Sequence, residues 1–87
     1  MSTLLGDLLA ELSAAPHSAA ALTLYSLVCT LEFERAGYLF KLIKLRDLTP
    51  AQRQLAYRLI ELMAEGRNQG VEWESAKLQM DALVRAG

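Results

Sequence analysis

The sequence predicts an all-α protein: a small up-and-down bundle of four helices, five if Gly37 divides the longest, built around one long central helix over about residues 19–46 and forming a single domain over 1–87. Three observations carry that expectation. From Thr23 to Lys44 a narrow polar stripe, Thr23, Ser26, Thr30, Glu34, Gly37, Lys41 and Lys44, recurs every three or four residues among apolar neighbours, which is one face of a helix wound at ~100° per residue. Thr49-Pro50-Ala51-Gln52 reads as a capping box with proline at the first helical position. The alternating pieces Leu31 to Glu34 and Phe40 to Leu45 are too short to outweigh six turns of helical spacing, and no Asn-Gly or Asp-Gly turn divides them.

The first helix begins at a Ser2 or Thr3 cap and gathers Leu4, Leu5, Leu8, Leu9 and Leu12 on one face. Pro16 ends it, because proline lacks an amide donor and turns Ala15 away from helical geometry. Ser18 caps the long helix that follows, which at 1.5 Å per residue would measure roughly 40 Å. A monomer of this size is only about 30 Å across. Either Gly37 kinks the helix, or a second chain covers the excess; the polar stripe runs in phase past Gly37 and favours the second chain. The third helix starts at Thr49, buries Leu55, Ala56, Leu59, Ile60, Leu62 and Met63, and stops at Gly66. A polar loop, Arg67 to Gly70, leads to the last helix, about Val71 to Arg85. Its inner side carries Trp73, Ala76, Met80, Leu83 and Val84, and a smaller apolar line, Val71, Leu78 and Ala82, lies opposite. Short connections favour antiparallel neighbours.

Composition narrows the function classes. A chain of 87 residues with 53% hydrophobic content is a single domain with a marginal core, the size at which oligomerisation often supplies stability. A net charge of −1, with basic and acidic residues interleaved, gives no field for nucleic acid. Cys29 is the only cysteine, so no intrachain disulfide forms, and a reducing cytoplasm fits best. Leu12 to Leu31 holds no charge, yet Pro16 and His17 interrupt it and the apolar remainder is too short to cross ~30 Å of hydrocarbon. Asp7 and Glu11 stand where a signal peptide would be positive.

Residues for catalysis are scarce. His17, the only histidine, has no metal-ligating neighbour at useful spacing, and Cys29 lies on an apolar arc without a base. Gly66 and Gly70 bracket Arg67-Asn68-Gln69, but no strand precedes them and no Lys-Ser or Lys-Thr follows, so this is no phosphate loop. No catalytic, cofactor-binding or metal-binding residue is predicted, and no small-molecule substrate is evident. Glu32 and Arg35 are the sharpest feature, because they divide the apolar arc of the long helix into two strips. Leu24, Leu27, Leu31, Tyr38, Leu42 and Leu45 form one, and Tyr25, Cys29, Phe33, Ala36, Phe40 and Ile43 form the other. A charged pair on that seam fixes register and partner choice, or else reaches solvent at the rim of one wide core.

The expected function is therefore a non-enzymatic, cytoplasmic interaction module (adaptor, assembly factor or chaperone-like), homodimeric through the long helix or taking an amphipathic helix of another protein. Its interface would comprise Tyr25, Glu32, Phe33, Arg35, Ala36, Phe40 and Ile43, with Trp73 as a second contact to a partner or, alternatively, the closure of the core. Two other classes stay open. A DNA-binding regulator would use the helix-turn-helix-like segment 49–85 and the basic residues Lys41, Lys44, Arg46, Arg53 and Arg58, although Glu72 and Glu74 open its would-be recognition helix. A ligand-binding domain would use a pocket around Glu32 and Arg35.

Overall fold

The computed structural model describes residues 3–32 and 40–86, and those residues are helical and turn structure without strands. The elements are α1 (Leu4–Ala14), α2 (Ala19–Glu32), a 3-10 helix η1 (Leu42–Asp47), α3 (Pro50–Ala64) and α4 (Val71–Arg85).

Local chemistry sets most of the boundaries. The Thr3 hydroxyl accepts the Gly6 amide at 3.0 Å and caps α1, and the Ser18 hydroxyl accepts the Ala21 amide at 3.1 Å to open α2. Thr49 and Gln52 exchange side-chain and backbone hydrogen bonds at 2.9 and 3.2 Å, so the capping box is complete, with Pro50 at the first turn. At the far end of α3 the Gly66 amide donates to the Met63 carbonyl at 2.9 Å and the Arg67 amide to the Leu62 carbonyl at 3.0 Å. That is a Schellman closure, and it places Gly66 at φ +73°, a region open to glycine at little cost.

The long helix expected over 19–46 is not found. α2 has 14 residues and reaches Glu32; Lys41 is extended and residues 42–47 form 3-10 turns instead of α-helix. The postulated kink at Gly37 lies outside the described residues. The molecule measures 28 × 28 × 27 Å with a radius of gyration of 12.0 Å, so the length argument for a second chain does not apply to this α2.

The helix order also departs from an up-and-down bundle. Asp7 meets Arg58 and Glu11 meets Gln52, so α1 and α3 run antiparallel. Tyr25 meets Asp81 and Glu32 meets Lys77, so α2 and α4 run antiparallel. The first turns of α1 and α4 line one groove, and His17, just beyond α1, reaches Val84 at the end of α4, so these two run parallel. The sense is up, down, down, up. α4 packs chiefly on α1, and α3 on α2 and α1. Short-loop reasoning fails between α2 and α3 because the 3-10 helix η1 intervenes before Pro50, so the two helices are not joined by a short turn.

The core holds the predicted faces with few exchanges. Leu8, Leu12, Leu24, Val28, Leu59 and Met80 are fully buried, each contributing roughly 1.5–3 kcal/mol of transfer free energy. Ile60 is exposed, against expectation. Thr23, Ser26 and Thr30 were expected on the wet side of the long helix, yet Thr23 is buried and the other two are half-buried. η1 packs on α2, with Lys44 and Asp47 across a cleft from Ala19, Leu22, Thr23 and Ser26, and the Thr30 hydroxyl is satisfied inside the helix by the Ser26 carbonyl at 2.9 Å.

Candidate functional site

Two features could carry function: a buried ionic cluster between α2 and α4, and an exposed apolar segment at η1.

The cluster forms because antiparallel packing aligns Tyr25, Cys29 and Glu32, successive positions on one side of α2, with Lys77 and Asp81, one turn apart on α4. Lys77 is only 9% exposed. Its Nζ donates to Asp81 Oδ1 at 2.7 Å, stands 3.5 Å from Glu32 Oε2 and lies 5.3 Å from the centre of the Tyr25 ring. The Tyr25 hydroxyl donates to the same Asp81 oxygen. Glu32 Oε2 is buried without a hydrogen bond among the described residues, where the Lys77 charge compensates it.

Electrostatics lock each group in one protonation state. Burial opposes charge on Lys77, but the hydrogen bond to Asp81 and the surrounding anionic groups outweigh it, and its pKa lies above the usual lysine value. Burial likewise opposes charge on Asp81, and the bonds from Lys77 and Tyr25 overcome it, holding the carboxyl below the usual range. Burial, then the Asp81 hydrogen bond, pushes the Tyr25 phenol upward. Burial pushes the Cys29 thiol upward as well. A general acid or base works best with a pKa near the working pH, and every one of these four groups is moved away from neutrality. The cluster therefore holds α2 to α4 in one register.

The α2 end of this seam is closed by Asn68, whose Nδ2 donates to the Leu31 carbonyl at 2.7 Å. His17 Nε2 donates to the Val84 carbonyl at 2.8 Å, which fixes the tautomer and caps the last turn of α4. Both polar residues act on helix ends.

The predicted interface is split by the structure. Phe33, Arg35 and Ala36 lie outside the described residues, so the Glu32–Arg35 seam is not described; Glu32 meets Lys77. Tyr25 is half-buried in the cluster. Phe40, expected to face a partner, packs against the core of its own chain. Ile43 alone stands out, 60% exposed, beside Leu42 at 70%. Trp73, for which closing the core was the favoured expectation and a partner contact the other, is buried in the core, and its Nε1 has no acceptor among the described residues. Sequence reasoning missed Lys77 and Asp81. The available signal was Lys77 four residues after Trp73 and three before Met80, which puts an ammonium on the inner side of α4 with a carboxylate at i+4.

η1 is the opposite case. Leu42-Ile43-Lys44-Leu45 is strongly apolar, yet no residue of η1 is buried. Lys41, Lys44, Arg46 and Asp47 are exposed around it, and none has an ion-pair partner among the described residues. Arg53 Nε donates to the Leu45 carbonyl at 3.3 Å and Arg58 pairs with Asp7 at 3.5 Å, so these two cations of the predicted basic group serve the fold. A separate groove of about 500 Å³ between α1 and α4 is lined largely by Leu4, Leu5, Leu9, Leu62 and Val71, with Arg67 and Glu72 among its polar residues. Among the described residues, no three metal-ligating side chains converge, and no helix is long and apolar enough to cross a membrane.

Compared with known protein families, curated proteins and solved structures, the chain matches none.

Proposed function

We propose that this chain is a non-enzymatic helical interaction module of the cytoplasm, and that η1 is its docking element. The observation that carries this reading is the exposure of Leu42 and Ile43 on a short 3-10 segment that also exposes Lys41, Lys44 and Arg46. Single exposed leucines are ordinary, but two adjacent exposed branched residues flanked by cations make a small apolar knob with a cationic rim, the anatomy of a binding surface. The non-enzymatic part of the proposal draws on the Tyr25–Lys77–Asp81 cluster, whose groups are held away from acid–base and nucleophilic roles. A free, half-buried Cys29 is compatible with a reducing compartment.

Position-resolved photo-crosslinking tests the proposal. A photoreactive residue at Ile43 should give a discrete adduct in native cells, whereas the same residue at exposed Gln54 on α3 should give none. Identical patterns at the two positions, or no adduct at 43, would refute η1 as the docking element.

A further inference from the structure

The outer side of α4 carries a surface complementary to η1. Val71 and Leu78 are 82% and 69% exposed, and with Ser75 and Ala82 they form a line at i, i+4, i+7 and i+11, opposite the buried Trp73, Ala76 and Met80. Glu72 and Glu74 flank the start of that line, both exposed and neither ion-paired among the described residues. The line is apolar with an anionic rim. η1 is apolar with a cationic rim. The lengths also agree: six residues of 3-10 helix rise about 12 Å, and the α4 line spans about 16 Å. In a parallel register Lys41 and Lys44, which share one side of η1, come beside the acidic start of the α4 line, where Glu72 stands on one flank and Glu74 on the other, and Asp47 lies towards Arg85.

One molecule does not bring its own two surfaces together. η1 packs on α2 beside Leu22, Thr23 and Ser26, whereas the α4 line begins at Val71 and Ser75 on the edge of the α1–α4 groove and continues through the exposed Leu78 and Ala82. We infer that the partner of η1 is the α4 outer face of a second copy of this chain, joined head to tail. This rests on the reading of η1 as a docking element and names its occupant. Isologous pairing of η1 with η1 would bring together two segments that each carry Lys41, Lys44 and Arg46 against Asp47 alone, a net like-charge contact that specific interfaces avoid. A heterologous contact leaves one free surface at each end, so it propagates into chains or closes into rings.

The test is a charge swap followed by sedimentation. At low ionic strength the wild-type mass-average molecular weight should rise with concentration beyond that of a dimer, and the association should weaken at least about tenfold when salt is raised to shorten the screening length to a few ångströms. Lys41→Glu with Lys44→Glu makes both surfaces acidic; Glu72→Lys with Glu74→Lys makes both basic. All four residues are exposed, and circular dichroism should show unchanged helicity in each double variant. Each alone should remain monomeric, and an equimolar mixture should associate again, because each η1 then faces an oppositely charged α4. A wild type that stays monomeric at low salt, or a mixture that stays monomeric, overturns the head-to-tail contact. If position-43 crosslinks still form under that outcome and carry a different protein, the docking element stands and only its occupant was wrong.

Discussion

Lys77 and Leu42 occupy the places that simple hydropathy would give to each other. The ammonium is held inside between α2 and α4, and the leucine is held out on η1. Burial of Lys77 is possible because α2 and α4 together supply two carboxylates and an aromatic face within reach of one Nζ. Exposure of Leu42 follows from the opposite poverty. η1 is too short and too tightly wound to bury one side continuously, and Phe40 and Leu45 take the positions that reach the core. What decides burial is the set of neighbours the fold delivers to a position. The two regions should accordingly answer to different perturbations: the seam to loss of stability, η1 to loss of contacts between molecules.

The largest effect is expected at the seam. Lys77→Ala removes the ammonium that Asp81 and Glu32 share, and unfolding by denaturant should show a loss of about 3 kcal/mol. Replacing the group as a whole, Lys77→Met with Asp81→Leu, Glu32→Gln and Tyr25→Phe, should recover most of that loss, since a buried ion network adds little net stability over an apolar one. Failure of the combined variant to exceed Lys77→Ala would mean that the network itself stabilises the fold.

Acid should reveal the same seam. The Asp81 carboxyl is depressed in the folded chain, so its contribution is complete above the unfolded value of about 3.9 and disappears as the pH falls through the folded value. Lys77 and Tyr25 are raised, so their contributions are complete below about 10 and disappear as the pH rises through their folded values. The Cys29 thiol is raised as well, so the seam's contribution to the denaturant midpoint should be flat between about pH 5 and 8. Asp81→Asn should lower the plateau and flatten the acid limb; an acid limb as steep as wild type would remove Asp81 from this role.

Asn68→Ala should have a smaller effect. It frees the Leu31 carbonyl at the end of α2, and a lost hydrogen bond of this kind costs about 1 kcal/mol. Hydrogen exchange should locate the change in the last turn of α2, with α3 unaffected.

These contrasts separate what was legible in the sequence from what was not. Thr3, Ser18, the Thr49–Gln52 box and the Gly66 stop act within a few residues, so their identity alone specifies them, and the structure contains all four. The inner sides of α1 and α4 followed from periodicity. The end of α2 did not, because the apolar residues of 40–45 satisfy helical spacing as well as a tighter winding, and only the extended Lys41 separates the two. Helix direction was hidden too, since η1 intervenes between α2 and α3 and no short turn joins them. Tyr25 and Asp81 are 56 residues apart, and nothing local pairs them. Of the two interface residues expected from one helical strip, Ile43 is exposed and Phe40 packs against the core, because the extended Lys41 separates them and breaks the α-helical register that put them on one side.

The smallest effect on stability is expected at η1, and there a null result is informative. Ile43→Ser removes apolar surface that is already mostly in water, so the folded and unfolded states lose it almost equally, and stability should stay within about 0.5 kcal/mol of wild type. Association should behave differently. At an interface the same side chain moves from water into contact, and burying a branched aliphatic side chain contributes roughly 1.5–3 kcal/mol, about a tenfold to hundredfold change in the association constant. A variant that folds like wild type while sedimenting as monomer would place the function of η1 between molecules. If Ile43→Ser instead destabilises the chain by as much as Lys77→Ala, then η1 is a support of the core, and its exposed leucine and isoleucine are not a docking surface.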